Sequence, residues 1–358
     1  MRLDNWVNRA KAFFPETGRW AERLKEILPA KKGTGGTNSI FFAVVRKEFT
    51  DYLTSWRIII LMGIILLTCF GSLYTAVTTI QDALDSSKDA EEIARSSYLF
   101  LKLFTVSDGT LPSFITFVGF LGPLLGIALG FDAINSERNR GTLSRLMAQP
   151  IPRDYVINGK FTAALLLNIV LFLSLGLLVT AFGILILGIP PTFEEFARIL
   201  CFLVLCIVYI AFWLNLGILF SVTFRQAATS ALSAIAVWLF FNVFYSMIIE
   251  VFAKSFLASE SITSLQQAIG RQEFVLNLMR LSPSYLFNES TTTLLSPNIR
   301  SLSVLTVEQT AGAVASPLPF SQSLLLIWPQ VTGLIAATLI CFAIAYVLFM
   351  RQEIRAHG

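Results

Sequence analysis

The chain has 358 residues, 55% hydrophobic and only 14% charged, against about 25% charged in an ordinary soluble domain, which is the composition of a membrane protein. The single histidine, His357, leaves no room for histidine-based metal or acid–base chemistry, and the four cysteines, Cys69, Cys201, Cys206 and Cys341, sit in apolar runs with no C-x-x-C pair, so neither a disulfide framework nor a zinc site is indicated. A net charge of +4 says little until it is divided between the two sides of a bilayer.

Residues 1–38 form a basic extension. Trp6, Ala10, Phe13 and Phe14 recur at helical spacing, as do Trp20, Leu24, Ile27 and Leu28, with Arg9, Lys11, Arg19, Arg23 and Lys25 between them. There is no continuous apolar h-region, so this is not a signal peptide. Basic amphipathic helices with tryptophan point to an anionic membrane face; a helical hairpin packed on protein is the alternative. KKGTGGTN, Lys31 to Asn38, reads as a flexible linker. Residues 39–57 form an amphipathic interfacial helix, with Phe41, Val45, Phe49, Tyr52, Leu53 and Trp56 on one side and Lys47, Thr50, Asp51 and Thr54 on the other.

Six apolar runs follow, each long enough for a helix crossing a bilayer core, which takes about 20 residues. They lie near Ile58 to Ile80, Leu111 to Phe131, Phe161 to Leu187, Ile199 to Phe220, Thr229 to Val251, and Leu325 to Met350. Between the first two, Gln81 to Thr110 begins acidic and turns amphipathic through Tyr98, Leu99, Leu101, Leu103 and Phe104, as an external helix lying back on the bundle would. Pro123, flanked by Gly119, Gly122 and Gly126, predicts a kink or close packing in the second run.

The most charged stretch between two apolar runs is residues 132–160, DAINSERNRGTLSRLMAQPIPRDYVINGK. Gly141 breaks the preceding structure, Thr142 can cap a short helix, and Pro150 stops it. Leu143, Leu146 and Met147 share one face of that helix. A short helix with an apolar knob and a basic rim (Arg138, Arg140, Arg145, Arg153), fixed between two spans, is shaped for a partner's groove; a solvated loop is the bland alternative. Beyond the fifth run, residues 252–324 form an external insertion, helical around Leu265 to Leu281 and with a weak strand signal at Leu302 to Val307. The last run, residues 325–350, leads into a tail at 351–358.

Sidedness follows from the basic residues. The N-terminal segment, the 132–160 loop, Arg225 and the tail hold 19 of the 27, and the other side holds eight with 13 of the 23 acids. The positive-inside rule puts both termini in the cytoplasm, which an even number of spans requires. No G-x-x-x-x-G-K-[ST] phosphate loop, LSGGQ-like signature, G-x-S-x-G elbow or H-E-x-x-H motif is present. Any use of ATP must therefore pass through another chain. Polar residues inside spans are candidates for a translocation path. Asn168, Asn215 and Asn242 are the clearest, with interhelical hydrogen bonding as the alternative.

Glu137, Gly141-Thr142-Leu143, Leu146, Pro150, Arg153 and Gly159-Lys160 resemble the cytoplasmic signature of type-2 ATP-binding-cassette permeases. RKEFTDYLTSWR, Arg46 to Arg57, is similar to the connecting helix of that family. LSPSYLFNESTTTLLSP, Leu281 to Pro297, resembles the branch associated with gliding motility and nitrous oxide reductase maturation. The likeness runs over about residues 39 to 350. It implies an all-α, six-span permease half in a bacterial plasma membrane, whose coupling helix docks on a separate ABC ATPase subunit that binds the ATP and magnesium. It also implies a second permease half, expected to be an identical chain, a lipid bilayer and no nucleic acid, and movement of an unidentified cargo, outward. Glu137, Arg138, Arg140, Gly141, Thr142, Leu143, Arg145, Leu146, Met147, Pro150 and Arg153 are the expected ATPase-coupling residues, and the chain itself is expected to bind no cofactor and catalyse nothing. The rivals are a mechanotransmission protein of the same build, which drives its external segment without transport, and an ATP-independent channel or secondary transporter.

Overall fold

The computed structural model describes residues 37–86, 98–107, 109–143, 151–188, 190–257, 265–297 and 318–352. The chain forms two compact units, Met1–Phe41 and Phe42–Gly358, and the spans lie in the second. The N-terminal amphipathic segments of residues 1–36 and the strand signal at 302–307 fall outside the described residues.

Every described element is helical. Helix α1 is Thr37–Thr54 and α2 Trp56–Ser86; a short α3, Leu99–Thr105, precedes α4, Phe114–Gly130, and α5, Asn135–Asn139. Then come α6 Arg153–Leu187, α7 Phe193–Thr223 and α8 Ala227–Leu239, which continues through a π turn, Phe240–Phe244, into α9, Tyr245–Leu257. Helices α10, Leu265–Met279, and α11, Pro283–Leu295, form the insertion, and α12 is Phe320–Arg351. Six stretches are long and apolar enough to cross a membrane: Trp56–Asp82, Phe114–Asn139, Arg153–Ile186, Phe193–Thr223, Ala227–Ser255 and Phe320–Arg351. This is an all-α membrane protein with six such spans and an insertion between the fifth and sixth.

Except for span 2, which starts at Phe114, the helices begin earlier than the apolar runs. Span 3 starts at Arg153, with Pro152 before it, ahead of the run that begins at Phe161. Span 4 starts at Phe193 on a capping box: the Thr192 hydroxyl accepts from the Glu195 amide while the Glu195 carboxylate accepts the Thr192 amide. Hydropathy marks where a helix can enter lipid, whereas caps and prolines set where it starts.

Span 4 is the hub, with 61% of its most apolar window buried, against 11% for span 5. It packs backbone to backbone on span 2. A methyl group added at Gly126 would stand 2.6 Å from the Ile210 carbonyl oxygen, and one at Gly130 2.5 Å from that of Leu214. The close packing expected around Pro123 is this contact, with Gly122, Gly126 and Gly130 on one face of α4.

The insertion folds back along the bundle. Ser282 caps α11 by accepting from the Tyr285 amide, with Pro283 in the first turn. Phe287 stacks on Tyr209 with ring centres 4.2 Å apart, and Ser284 and Tyr209 share a hydroxyl hydrogen bond of 3.0 Å. Tyr209 lies about half-way along the 31-residue helix of span 4. At its other end, α11 meets Arg198, which donates to the Leu294 carbonyl at 2.8 Å. Helix α11 therefore runs along span 4 from mid-length to the end away from Arg57, Arg225 and Arg351.

Candidate coupling site

The end of the bundle that carries α1, Arg57, α5, Arg225 and Arg351 is its basic end, and there three elements meet on one buried ammonium. Lys160, in the second turn of span 3, is 4% exposed. Its Nζ donates to Glu48 Oε2 on α1 at 2.8 Å and lies 2.9 Å from Glu137 Oε1 on α5. The preceding glycine makes this possible. A methyl group at Gly159 would sit 2.8 Å from Val44 Cγ1, so the glycine lets α1 lie this close, with Glu48, one turn after Val44, reaching Lys160. Lys47 adds a second, half-exposed cation, 2.9 Å from Glu48 and 4.0 Å from Glu137.

Two carboxylates surround one buried ammonium, so each charge has a partner, as burial demands. Burial alone would push the Glu48 carboxyl up; the charges and hydrogen bonds of Lys160 and Lys47 outweigh it and hold that carboxyl below its ordinary range. Burial likewise works against the Lys47 ammonium, and the hydrogen bond and charge of Glu48 outweigh it and raise its pKa. The second carboxylate oxygen of Glu137 is buried and has no hydrogen-bond partner.

Other bonds fix the same segment. Arg57 pairs with Asp132 at 2.6 Å, and Tyr52 of α1 donates to the Leu129 carbonyl at 3.3 Å. The Ser221 hydroxyl of span 4 accepts from the Ile134 and Asn135 amides at 2.9 and 3.2 Å. On the far side of α5, Arg138 donates to Gln352, Asn139 donates to the Arg225 carbonyl at 3.1 Å, and Gln352 donates to the Val222 carbonyl at 2.7 Å. Arg153 reaches the Gln352 carbonyl at 3.5 Å. Glu137, Arg138 and Arg153 are thus brought together around α5 and the base of span 3, with Arg140, Gly141 and Thr142 exposed beside them.

One expected role is corrected, that of Leu143, as its burial shows. Gly141 has φ +69°, the left-handed conformation that ends a helix, and the Thr142 hydroxyl donates back to the Glu137 carbonyl at 3.1 Å. The Thr142 hydroxyl thus closes the end of α5 where the left-handed Gly141 turns the chain, and helix resumes at Thr142–Leu143. Leu143 is 1% exposed and packs into the apolar core. It anchors the segment inward, and an apolar side chain with that choice gains more from the core than from water. Arg145, Leu146, Met147 and Pro150 lie outside the described residues.

The asparagines of the spans serve three different neighbours. Asn168 of span 3 donates to the Ile207 carbonyl of span 4 at 3.2 Å, and Asn215 of span 4 to the Thr338 carbonyl of span 6 at 3.1 Å. Asn242 donates to the Trp238 carbonyl of its own helix at 3.1 Å and stands half-buried in the π turn.

Sequence reasoning missed Arg198 at the opposite end. It is fully buried, donates to the Leu294 and Leu318 carbonyls and to the Ser323 hydroxyl, pairs with Glu194 at 2.9 Å, and lies between the rings of Tyr98 and Phe320. Its neighbour Glu195 accepts the Phe100 amide at 3.0 Å, seating α3. The only local signal was the Glu194/Arg198 spacing of four. Among the described residues no three His, Cys, Asp or Glu side chains gather as a metal site would need.

A 150-residue stretch is 27% identical to a protein described as "Probable ABC transporter permease protein NosY" from Stutzerimonas stutzeri, covering 41% of this chain and 53% of that protein. The chain thus spans about half the length of that relative. Residues 42–354, which include all six spans and the charged cluster around Lys160, match the family described as ABC-2 family transporter protein. This chain is a membrane permease of the ABC-2 transporter family.

Proposed function

We propose that the chain is the permease half of an ATP-driven transporter of the branch to which its NosY relative belongs, pushed by a separate ATPase subunit docked at the basic end. That end then faces the cytoplasm, as the distribution of basic residues requires, and both termini with it. The observation behind this is the clamped segment at 132–153. It has no nucleotide loop of its own, yet it is continuous with spans 2 and 3 and braced by Glu48, Lys160, Ser221 and Gln352. A segment so held passes a push directly to two spans, which is rigid-body switching driven from outside the bilayer. With Leu143 turned inward, docking falls to Leu146, Met147 and the rim of Arg140, Arg145 and Arg153. Two identical halves, joined along the little-buried span 5, enclose the path, and the half-buried Asn242 is the asparagine placed to meet cargo there. The cargo moves outward.

Leu146→Asp places a charge in the docking face. The expected outcome is loss of the ATPase subunit on co-purification while the permease still inserts. Retention of the subunit would count against docking at this turn. Vesicles holding both subunits then decide what the push does. ATP-dependent cargo movement supports transport, and ATP turnover that rearranges the insertion without moving cargo would favour mechanotransmission.

A further inference from the structure

The cluster at Lys160 has one cation too few for its geometry and one close at hand. Glu48 and Glu137 both take the Lys160 ammonium, at 2.8 and 2.9 Å, from α1 and α5, whose other described ion pair is the longer Lys47–Glu137 contact. Glu137 keeps a buried oxygen without a partner. Lys47 already holds Glu48 and stops 4.0 Å from Glu137, with half of its side chain in solvent. If α5 shifts against the base of span 3, Glu137 can leave Lys160 and close on Lys47 without ever standing as a lone buried charge, the state that costs most. Lys160 would meanwhile keep Glu48. Packed groups with two discrete pairings of this kind switch between positions and do not bend gradually.

We propose that Lys160 is a positioning residue, the pivot of a two-position latch through which displacement of the 132–153 segment is passed to the amphipathic helix α1 and so to the head of span 1. The inference rests on the proposal that an ATPase docks on that segment, and it adds a route that docking alone does not supply. The route leaves α1 at its break, where Ser55 separates Thr54 from Trp56.

The test uses the full-length permease with its ATPase subunit in lipid nanodiscs, with the four native cysteines replaced and a spin label at Thr50→Cys on the exposed side of α1. The unaltered latch is expected to give a change in label mobility when ATP and vanadate are added. Lys160→Met is expected to retain the ATPase subunit but to shrink that change by about tenfold, the order by which a residue on a coupling route alters coupling. Lys160→Arg keeps a cation between the two carboxylates and is expected to retain the response, which a merely space-filling side chain such as Met would not. Should Lys160→Met fail to insert, Glu137→Gln, which keeps the side chain's size and leaves Glu48 on Lys160, is expected to blunt the response in its place. A full response in Lys160→Met or Glu137→Gln, or a lost response in a properly inserted Lys160→Arg, overturns the latch. Failure of the ATPase subunit to bind the unaltered permease overturns the docking proposal itself and takes the latch with it.

Discussion

Glu48 is the carboxylate of the basic-end cluster that its lysine partners hold below its ordinary range. Lys160, Lys47, Glu137 and Asp51 are the charged groups around it. Its folded-state pKa is depressed below the ordinary 4.5, so the stabilisation it supplies is fully present above 4.5 and is lost as pH falls through the lower, folded value. The seating of α1 should therefore be constant between about pH 5 and 7 and loosen only in stronger acid. Fluorescence of Trp56, exposed where α1 meets span 1, would follow it, and Glu48→Gln should remove the transition. A transition centred above 4.5 would mean that Lys160 and Lys47 do not hold the carboxylate as the distances imply. The sequence marked Gly159-Lys160 only through the family resemblance and gave Lys160 no partner. Its burial depends on Gly159, whose meaning is visible only once Val44 lies against it.

The glycine face of α4 shows the opposite case, where a sequence signal and the packing coincide. Gly119, Gly122, Gly126 and Gly130 stand four or fewer residues apart beside Pro123, and small residues at that spacing allow two backbones in lipid to touch. At Gly126 and Gly130 the backbone of span 4 fills the space a side chain would need, and at Gly122 the Ile210 side chain does. Gly126→Ala should lower the thermal stability of the detergent-solubilised protein by about 1–3 kcal/mol, the usual cost of overpacking. Gly63 of span 1 has nothing within 4 Å of an added methyl, and Gly63→Ala should be neutral or slightly stabilising through helix propensity. Equal effects at the two sites would show that the span 2–span 4 contact is looser than described. The six spans were legible because about 20 consecutive apolar residues have few alternatives to crossing a bilayer. Their starts were not, because Arg153 and Phe193 open helices in polar surroundings, where hydropathy carries no signal and local caps decide.

The bundle holds its helices unequally, and this divides what stays together from what can move. Span 5 buries little of itself and exposes Leu239, Val243, Phe244, Met247 and Val251. If it joins two copies, Met247→Cys on a cysteine-free background should cross-link them in membranes, and a label at Leu185→Cys on span 3 should not. At the other extreme, Arg198 binds the end of α11, the strand of chain at Leu318 and the head of span 6 to span 4. Those partners lie 96 to 125 residues away in sequence, which is why no local pattern revealed them. Removing this buried guanidinium takes the donor from two carbonyls and a hydroxyl, while Glu194, partly exposed, keeps the Tyr98 hydroxyl. Breaking such a cluster costs about 3–5 kcal/mol, much of it borne by the groups left behind. Arg198→Met should therefore raise hydrogen exchange across residues 283–295 and at the head of span 6, since amides there would open with the local clamp gone. Exchange at α1 and α5 should stay as it was, and the ATPase subunit should still bind, because no described bond of Arg198 reaches the basic end. Exchange rising equally at both ends would show that the bundle opens as one unit, and α11 would then not ride on span 4 as a body separable from the coupling segment.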